Sequence, residues 1–200
     1  MAKAASNKTT AARLIVGISG ASGTIYGVRL LEMLRKTDIE THLVMSKSAE
    51  MTLAYETDLK PKDVRALASV HYPAADIGAA ISSGSFPTMG MIVAPCSIRT
   101  MSEIATGVTS SLLSRAADVV LKEKRRLVLA IRETPLHAGH LRSMATLADI
   151  GAVIAPIVPA FYNRPQSVDD IVNHTCGRLL DLFGIDTGTV KRWKGGPAES

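Results

Sequence analysis

Short apolar runs alternate with amphipathic stretches along this chain. Four runs are mostly apolar and rich in branched side chains: residues 14–18, 41–45, 89–94 and 127–131. This pattern is typical of strands buried on both faces of a parallel sheet. We expect two shorter strands at 69–72 and 152–155.

The stretches between these runs carry apolar residues at helical spacing. After the first run, Val28, Leu31 and Leu34 form one stripe. Further helices are predicted at 49–55, 112–122, 141–149 and 166–184. Because strands and helices alternate without a linker or an internal repeat, the pattern predicts one doubly wound α/β domain. Residues 60–82 carry no clear pattern beyond the short strand.

The length of 200 residues suits a single domain with a substantial core. We place this domain at 13–193, with a flexible N-terminal tail at 1–12 and a C-terminal tail at 194–200. The sequence shows neither a membrane span nor the apolar core of a secretory signal. Cys96 and Cys176 are the only cysteines, which favours a reducing cytoplasm over a disulfide framework.

The net charge of +5 raises the question of nucleic acid, but its distribution argues against that class of partner. The densest basic run, at 122–126, lies at the predicted end of a helix, where cations complement the helix dipole. Aromatic residues make up only 4%, too few for base stacking. Phosphorylated small molecules explain the charge better. No metal is expected, because His137 and His140 are joined by no cysteine or carboxylate.

The first strand leads into a small-residue turn, G-A-S-G-T at 20–24, and then into a helix. Amides at a helix N-terminus favour an anion, most often a phosphate. The glycine spacing differs from a dinucleotide fingerprint, and the P-loop lysine is absent. The turn therefore predicts a phosphate site, such as that of a mononucleotide, with an unliganded tight turn as the alternative.

Two later strands also end in polar loops, P-C-S-I-R-T at 95–100 and R-E-T-P at 132–135. Ligands of open parallel sheets lie at the carboxyl ends of the strands, so the turn at 20–24 and the loop at 95–100 are expected to share a crevice. Arg115 and Lys122 are seven residues apart on one helix face. Spacing alone favours a solvated surface pair, with Asp118 bridging.

Together these loops resemble the UbiX-type flavin prenyltransferases, formerly labelled aromatic acid decarboxylases. The matching motifs are G-x-S-G-A-S-G at 17–23, S-G-S at 83–85, P-C-S-I-R-T at 95–100, R-A-A-D-V-x-L-K-E at 115–123, R-E-T-P at 132–135 and F-Y-N-R-P-Q-S at 161–167. The resemblance runs from about residue 13 to residue 193. It implies a single doubly wound, Rossmann-like (flavodoxin-like) parallel sheet with helices on both faces.

The resemblance also implies a reaction. The dimethylallyl group of dimethylallyl phosphate is joined to N5 and C6 of reduced FMN, without a metal. The expected protein is a cytoplasmic homo-oligomer, a dodecamer with its sites at subunit junctions. Its product, prenylated FMN, would serve a UbiD-type decarboxylase in ubiquinone biosynthesis or aromatic-acid degradation.

Site residues are carried over by position in the matching motifs. The expected FMN contacts are Gly20, Ala21, Ser22, Ser46, Ser97, Ile98, Arg99, Thr100 and Arg132. The expected ligands of the donor phosphate are Arg115, Lys122, Tyr162 and Arg178. The residues expected to manage protons are Ser22, Glu56 and Glu133. Fixed cations would take the place of Mg²⁺ in stabilising the departing phosphate.

Two other functions fit parts of the sequence. An FMN-dependent decarboxylase of the phosphopantothenoylcysteine type is expected to carry P-A-S-A-N-T at 95–100 and a P-x-M-N motif, whereas this chain has P-C-S-I-R-T and lacks the second motif. The catalytic histidine of that type has no good match here. His42 lies within a strand and is interpreted as structural. A non-catalytic flavin carrier would be expected to lose Lys122, Glu133 or Tyr162, and all three are present.

Overall fold

The computed structural model describes residues 12–192. Its centre is a six-stranded parallel sheet in the order β3-β2-β1-β4-β5-β6. The strands are β1 (Arg13–Ile18), β2 (Glu40–Met45), β3 (Val70–Tyr72), β4 (Gly90–Cys96), β5 (Arg126–Ile131) and β6 (Val153–Ile154). This is the doubly wound Rossmann order, and without the short β3 it is the flavodoxin order. The predicted fold class is confirmed.

Helices cover both faces of the sheet. They are α1 (Thr24–Leu34), α2 (Lys47–Glu56), α3 (Pro61–Arg65), α4 (Ile98–Thr106), α5 (Leu112–Lys122), α6 (Ala138–Asp149) and α7 (Val168–Asp181), with a 3-10 turn at Ala80–Ser82. Helices α1, α2 and α7 share a core with one face, and α4, α5 and α6 share a core with the other.

The two cores follow from the alternation of side chains along each strand. Leu14 and Val16 of β1 point into the core with α1 and α7, whereas Ile15 between them points into the core with α5. Complete burial of each such side chain contributes about 1.5–3 kcal/mol. Each core also contains one free cysteine, Cys176 in the first and Cys96 in the second, and both thiols are buried.

Several element bounds differ from the sequence predictions. Strand β4 continues through a cis Ala94–Pro95 peptide to Cys96, where a loop was predicted. Helix α6 begins at Ala138 because His137 caps it, and α7 ends at Asp181, three residues before Gly184. The region 60–82 contains α3, β3 and the 3-10 turn. The predicted tails at 1–11 and 194–200, with Trp193, lie outside the described residues.

Within residues 12–192, the structure contains no helix whose length and apolar character would let it cross a membrane.

Candidate functional site

The sheet opens between β1 and β4, where the chain reverses its direction of winding. At this point Ser19 ties two loops together. Its Oγ donates to the Pro95 carbonyl at 2.8 Å and accepts from the Ser97 amide at 2.7 Å. Ser19 is completely buried. The residue therefore fixes the end of β1 against the loop that leads from β4 into α4.

A cleft of about 350 Å³ lies beside this junction. Five of the expected flavin contacts line it: Gly20, Ser46, Ser97, Arg99 and Thr100. The rest of the lining consists of Lys47, Ser48, Ala74, Ala75, Glu103, Ser110 and Ser111. The volume is in the range of small-ligand and cofactor sites. The turn at 20–24 and the loop at 95–100, which the sequence places in one crevice, therefore meet at this cleft.

Three helices begin at the cleft. Ser46 caps α2 by accepting from the Ala49 amide at 3.0 Å, and Ser97 caps α4 by accepting from the Thr100 amide at 3.3 Å. Ser111 caps α5 in the same way. The positive ends of the three helix dipoles therefore point toward one space. This arrangement favours a phosphate group in the cleft.

The turn after β1 packs closely on α2. A Cβ added at Gly20 would lie 2.3 Å from the Cβ of Ser48, so only glycine fits there. Gly23 has a φ of 96°, in the left-handed region that favours glycine. The Thr52 hydroxyl also donates to the Gly20 carbonyl at 3.3 Å. Ala21 and Ser22, which were also expected to contact FMN, follow Gly20 in this turn but are not among the residues that line the cleft.

The anion at the start of α1 is the carboxylate of Glu56. It accepts from the amides of Gly23 and Thr24 and from the Thr24 hydroxyl, at 2.9–3.0 Å. Burial acts to raise the pKa of Glu56, but hydrogen bonds from Ser22, Thr24 and Gly23 outweigh it and hold the pKa below its usual range. The turn therefore carries an anion, as the sequence predicts, but a protein carboxylate takes the place expected for phosphate.

Two further site residues follow β5 directly. The Arg132 amide donates to the Cys96 carbonyl at 3.1 Å, which holds this loop beside the start of α4. The Glu133 carboxylate accepts from the Thr134 amide at 3.0 Å. Both side chains are exposed at the carboxyl edge of the sheet. Ile98, another expected flavin contact, is the first residue of α4 and packs against the core.

The two basic residues of α5 lie progressively farther from the cleft. Arg115 pairs with Asp118 at 3.0 Å, the bridge that the sequence predicts. Lys122 pairs with Glu123 at the far end of the helix, close to Gly84. Because α5 rises about 1.5 Å per residue, Lys122 is about 16 Å along the axis from Ser111. A single chain does not bring Lys122 to its own cleft.

Tyr162 and Arg178 both lie at α7, on the opposite face of the sheet from α5. The Tyr162 hydroxyl is 3.1 Å from Nε2 of His174. Arg178 lies one turn farther along the same face of α7 and pairs with Asp181 at 2.6 Å. The structure therefore places these two expected phosphate ligands at the same helix and separates both of them from Lys122.

Among residues 12–192, no group of three or more His, Cys, Asp or Glu side chains could hold a metal ion. His137 accepts from the Gly139 amide at the start of α6, and its ring lies 3.5 Å from that of His140. His42 bonds Tyr72 and Glu40, each at 2.9 Å, and is buried within the sheet. The structural interpretation of His42 is thus confirmed.

Known proteins with a similar sequence settle the family. The sequence model of the flavoprotein family matches residues 2–180. The flavin prenyltransferase UbiX of Escherichia coli K12 is 62% identical over 186 residues, which make up 92% of this chain and 98% of that protein. The chain belongs to the UbiX-type flavin prenyltransferase family. The resemblance seen in the motifs is confirmed.

Solved structures agree with this family assignment. The crystal structure of AnUbiX (PadA1) in complex with FMN and dimethylallyl pyrophosphate matches with a TM-score of 0.93 and 50% identity, covering 94% of this chain and all of that one. A dodecameric FMN-dependent UbiX-like decarboxylase from Escherichia coli O157:H7 matches with a TM-score of 0.90 and 51% identity, covering 92% of this chain and all of that one. FMN-dependent cysteine decarboxylases such as SpaF are only 19% identical and share the fold alone.

Sequence reasoning missed three parts of the site. Ser19 belongs to the motif at 17–23, but no contact was expected of it. Ser110 and Ser111 could have been found, because serines directly before an apolar helix are a capping signal. His174 could not, because its contact with Tyr162 depends on how the aromatic loop folds back onto α7.

Proposed function

We propose that this chain transfers the dimethylallyl group of dimethylallyl phosphate to N5 and C6 of reduced FMN, without a metal ion. The observation that carries this proposal is the convergence of Gly20, Ser46, Ser97, Arg99 and Thr100 on one cleft. Those residues come from three separate loops, and each was expected to contact FMN from its motif alone. Family membership supplies the reaction class.

The cleft fits FMN in charge and shape. Ser46, Ser97 and Thr100 would hold the flavin phosphate and ribityl chain at the N-termini of α2 and α4, with Arg132 beside them. The bare backbone at Gly20 would let the flavin approach closely. Reduced flavin supplies the nucleophilic N5 and the aromatic C6. The protein supplies position, fixed charge and proton transfer.

The donor phosphate would be held by cations from more than one subunit. Tyr162 contacts His174 of α7, and Arg178 lies one turn farther along that helix, whereas Lys122 and Arg115 lie on α5 across the sheet. A homododecamer would bring α5 of one copy to the cleft of another. Cations held in place by the fold stabilise the departing phosphate, since they need no reorganisation when the allylic C–O bond breaks.

Carboxylates and a hydroxyl would manage the protons. Glu133 projects from the end of β5 and would remove the proton from C6. Glu56 is held ionised by its hydrogen bonds and takes the Ser22 hydroxyl as a partner. Ser22 would therefore link the flavin edge to a fixed negative charge. The prenylated product would pass to a UbiD-type decarboxylase in the cytoplasm.

Anaerobic incubation tests this function. Reduced FMN, dimethylallyl phosphate and the protein are mixed without added metal, and the released flavin is analysed by mass spectrometry. A gain of one C5 unit is expected, and dimethylallyl pyrophosphate is compared in parallel. A tightly bound but unchanged FMN would contradict the proposal and favour a decarboxylase or a carrier. A Glu133→Gln variant with the full prenylation rate would remove Glu133 from the proton step.

A further inference from the structure

The basic run K-E-K-R-R ends α5 in a tight turn. Lys122 is the last residue of the helix, and Lys124 has a φ of 56°, in the left-handed region. The Lys124 amide donates to the Leu121 carbonyl and the Arg125 amide to the Val120 carbonyl, each at 2.9 Å. These two bonds form a Schellman motif, a common end of a helix. The turn therefore leaves Lys122 on the helix and carries Arg125 out of it.

The Arg125 guanidinium is bound to a neighbouring loop. It donates to the Gly84 carbonyl at 2.8 Å and to the Phe86 carbonyl at 2.6 Å, and its side chain is half-buried. This is the S-G-S loop (residues 83–86), whose motif has no role in the reaction so far. Hydrogen bonds from a charged donor are stronger than those between neutral groups. Two of them from one side chain therefore fix the loop against the end of α5.

The Phe86 ring holds the S-G-S loop from the other side. The ring lies edge-on to the buried His42 ring, with 4.9 Å between centroids, and 5.2 Å from the Arg13 guanidinium. Within the loop, the Phe86 amide donates to the Ser83 carbonyl at 3.1 Å. The loop is thus held by the sheet at Phe86 and by Arg125 at its carbonyls.

Gly84 brings the S-G-S loop against the ion pair of Lys122. A Cβ added at Gly84 would lie 2.3 Å from Oε1 of Glu123 and 2.9 Å from Nζ of Lys122. These two side-chain atoms are themselves 2.5 Å apart. The Lys122 side chain is about half exposed, and its stem is flexible. Contact with Gly84 and Glu123 therefore restricts where the ammonium group can lie.

We propose that Arg125 is a positioning residue for the donor phosphate. It holds the S-G-S loop against the end of α5, and Gly84 of that loop keeps the Lys122 ammonium group in one place. The ammonium group has three donors, so its bond to Glu123 leaves donors for a phosphate. The phosphate then meets a cation that is already ordered, and less conformational entropy is lost on binding. This inference rests on the proposed function, in which Lys122 is a ligand of the donor phosphate.

The test measures binding of dimethylallyl phosphate by calorimetry to protein loaded with oxidised FMN, which does not react. Arg125→Met removes both donors and keeps an unbranched stem. Its affinity should fall about two- to tenfold, the cost of ordering one long side chain on binding. Arg125→Lys keeps one donor and should recover part of that loss. The matched control is Arg126→Met, which removes the same charge from a residue that lies over the Phe183 ring, and it should bind as the wild type does.

Gly84→Ala tests the contact itself. The three atoms nearest to the added methyl group all belong to the ends of the Glu123 and Lys122 side chains, so these ends should move while the fold is kept. Affinity for dimethylallyl phosphate should fall as in Arg125→Met. The matched control is Gly78→Ala, whose Cβ would lie 3.7 Å from Asp76 Oδ1, an ordinary contact.

Two further measurements separate positioning from general damage to the fold. FMN affinity should stay at the wild-type value in Arg125→Met and Gly84→Ala, because neither residue lines the flavin cleft. In a Lys122→Ala background, neither substitution should weaken binding of dimethylallyl phosphate further, since both act through Lys122.

Wild-type affinity for dimethylallyl phosphate in Arg125→Met or Gly84→Ala would overturn the inference. So would an equal loss in Arg126→Met, a parallel loss of FMN affinity, or a further loss in the Lys122→Ala background. If Arg125→Met does not fold, Gly84→Ala and its combination with Lys122→Ala decide the question.

Prenylation by the wild-type protein is assayed in parallel by mass spectrometry of the flavin. If that reaction fails while the binding pattern holds, the proposed function is lost and the positioning role is kept. A wild-type protein that does not bind dimethylallyl phosphate would overturn both.

Discussion

Glu56 is the last residue of α2, but its carboxylate serves the first turn of α1. It occupies the amides of Gly23 and Thr24, the site where a free anion would otherwise bind. Because these bonds hold the pKa of Glu56 below its usual range, the ionised form stabilises the fold. That stability is complete above the unfolded pKa and disappears as the pH falls through the lower, folded pKa.

Glu56→Gln should therefore destabilise the protein at pH 7 by about 1 kcal/mol, comparable with the loss of a helix cap. The difference from wild type should shrink as the pH falls below about 4, because the wild-type carboxylate is then protonated as well. Urea unfolding of both proteins between pH 3 and pH 7 measures this. An equal difference at every pH would show that the charge of Glu56 is not what stabilises the turn.

Ser19→Ala should lower the free energy of unfolding by more than Glu56→Gln does. The change leaves the Pro95 carbonyl and the Ser97 amide without their buried partner, which typically costs about 1–3 kcal/mol for each group. FMN affinity should fall as well, because the loop that carries Ser97 is no longer fixed. The matched control is Ser85→Ala on an exposed loop, with little change expected. Equal melting temperatures for the two variants would contradict this role of Ser19.

At the level of single residues, motifs predicted the residues that line the cleft better than the residues that hold its loops in place. Gly20, Ser46 and Ser97 lie at the predicted edge because each follows directly from a buried strand. Ser19 acts through contacts made only after folding, since Ser97, which donates to it, is 78 residues away in the chain. No local pattern encodes such a pair.

Helix N-termini are the main electrostatic feature at the scale of elements. Helices α2, α4 and α5 all begin at the 350 Å³ cleft, and each has a serine cap. Helix α7 is capped in the same way by Ser167, which does not line the cleft. The chain therefore provides its own comparison between a cap that serves stability and a cap that also serves binding.

Ser97→Ala and Ser167→Ala should each lower the free energy of unfolding by about 1 kcal/mol. Only Ser97→Ala should also weaken FMN binding, because its hydroxyl and the α4 amides face the cleft. Flavin fluorescence titration and urea unfolding of the two variants give both quantities. A similar loss of FMN affinity in Ser167→Ala would show that the effect comes from stability and not from the site.

The spacing of apolar residues predicted where most strands and helices lie, but it did not predict their exact ends. Helix α4 was not among the helices that the apolar pattern predicted. The second core explains why it forms, since Met101 and Ile104 are buried there. Likewise β6 has two residues where four were predicted, because it pairs with β5 alone at the edge of the sheet.

At the scale of the whole molecule, the separation of Lys122 from the cleft predicts sites shared between copies. Lys122→Ala and Arg132→Ala should each be inactive alone, as they damage different halves of the site. Co-expressed in equal amounts and purified through two tags, they should regain about a quarter of wild-type activity, since half of the clefts and half of the α5 helices are intact. No recovery in the mixed oligomer would place Lys122 in its own chain's site or outside the reaction.

The burial of the two cysteines has a chemical consequence for a protein that handles reduced flavin. Reduced flavin reacts with oxygen and releases hydrogen peroxide, which attacks thiolates and not thiols. Burial raises the pKa of Cys176 to about 12 and raises that of Cys96 as well, so neither forms a thiolate at neutral pH. Peroxide treatment of the folded protein should leave both thiols intact. A thiol reagent should then react with two cysteines per chain, and only after the treated protein is unfolded. The fold thus protects itself from a by-product of its own substrate.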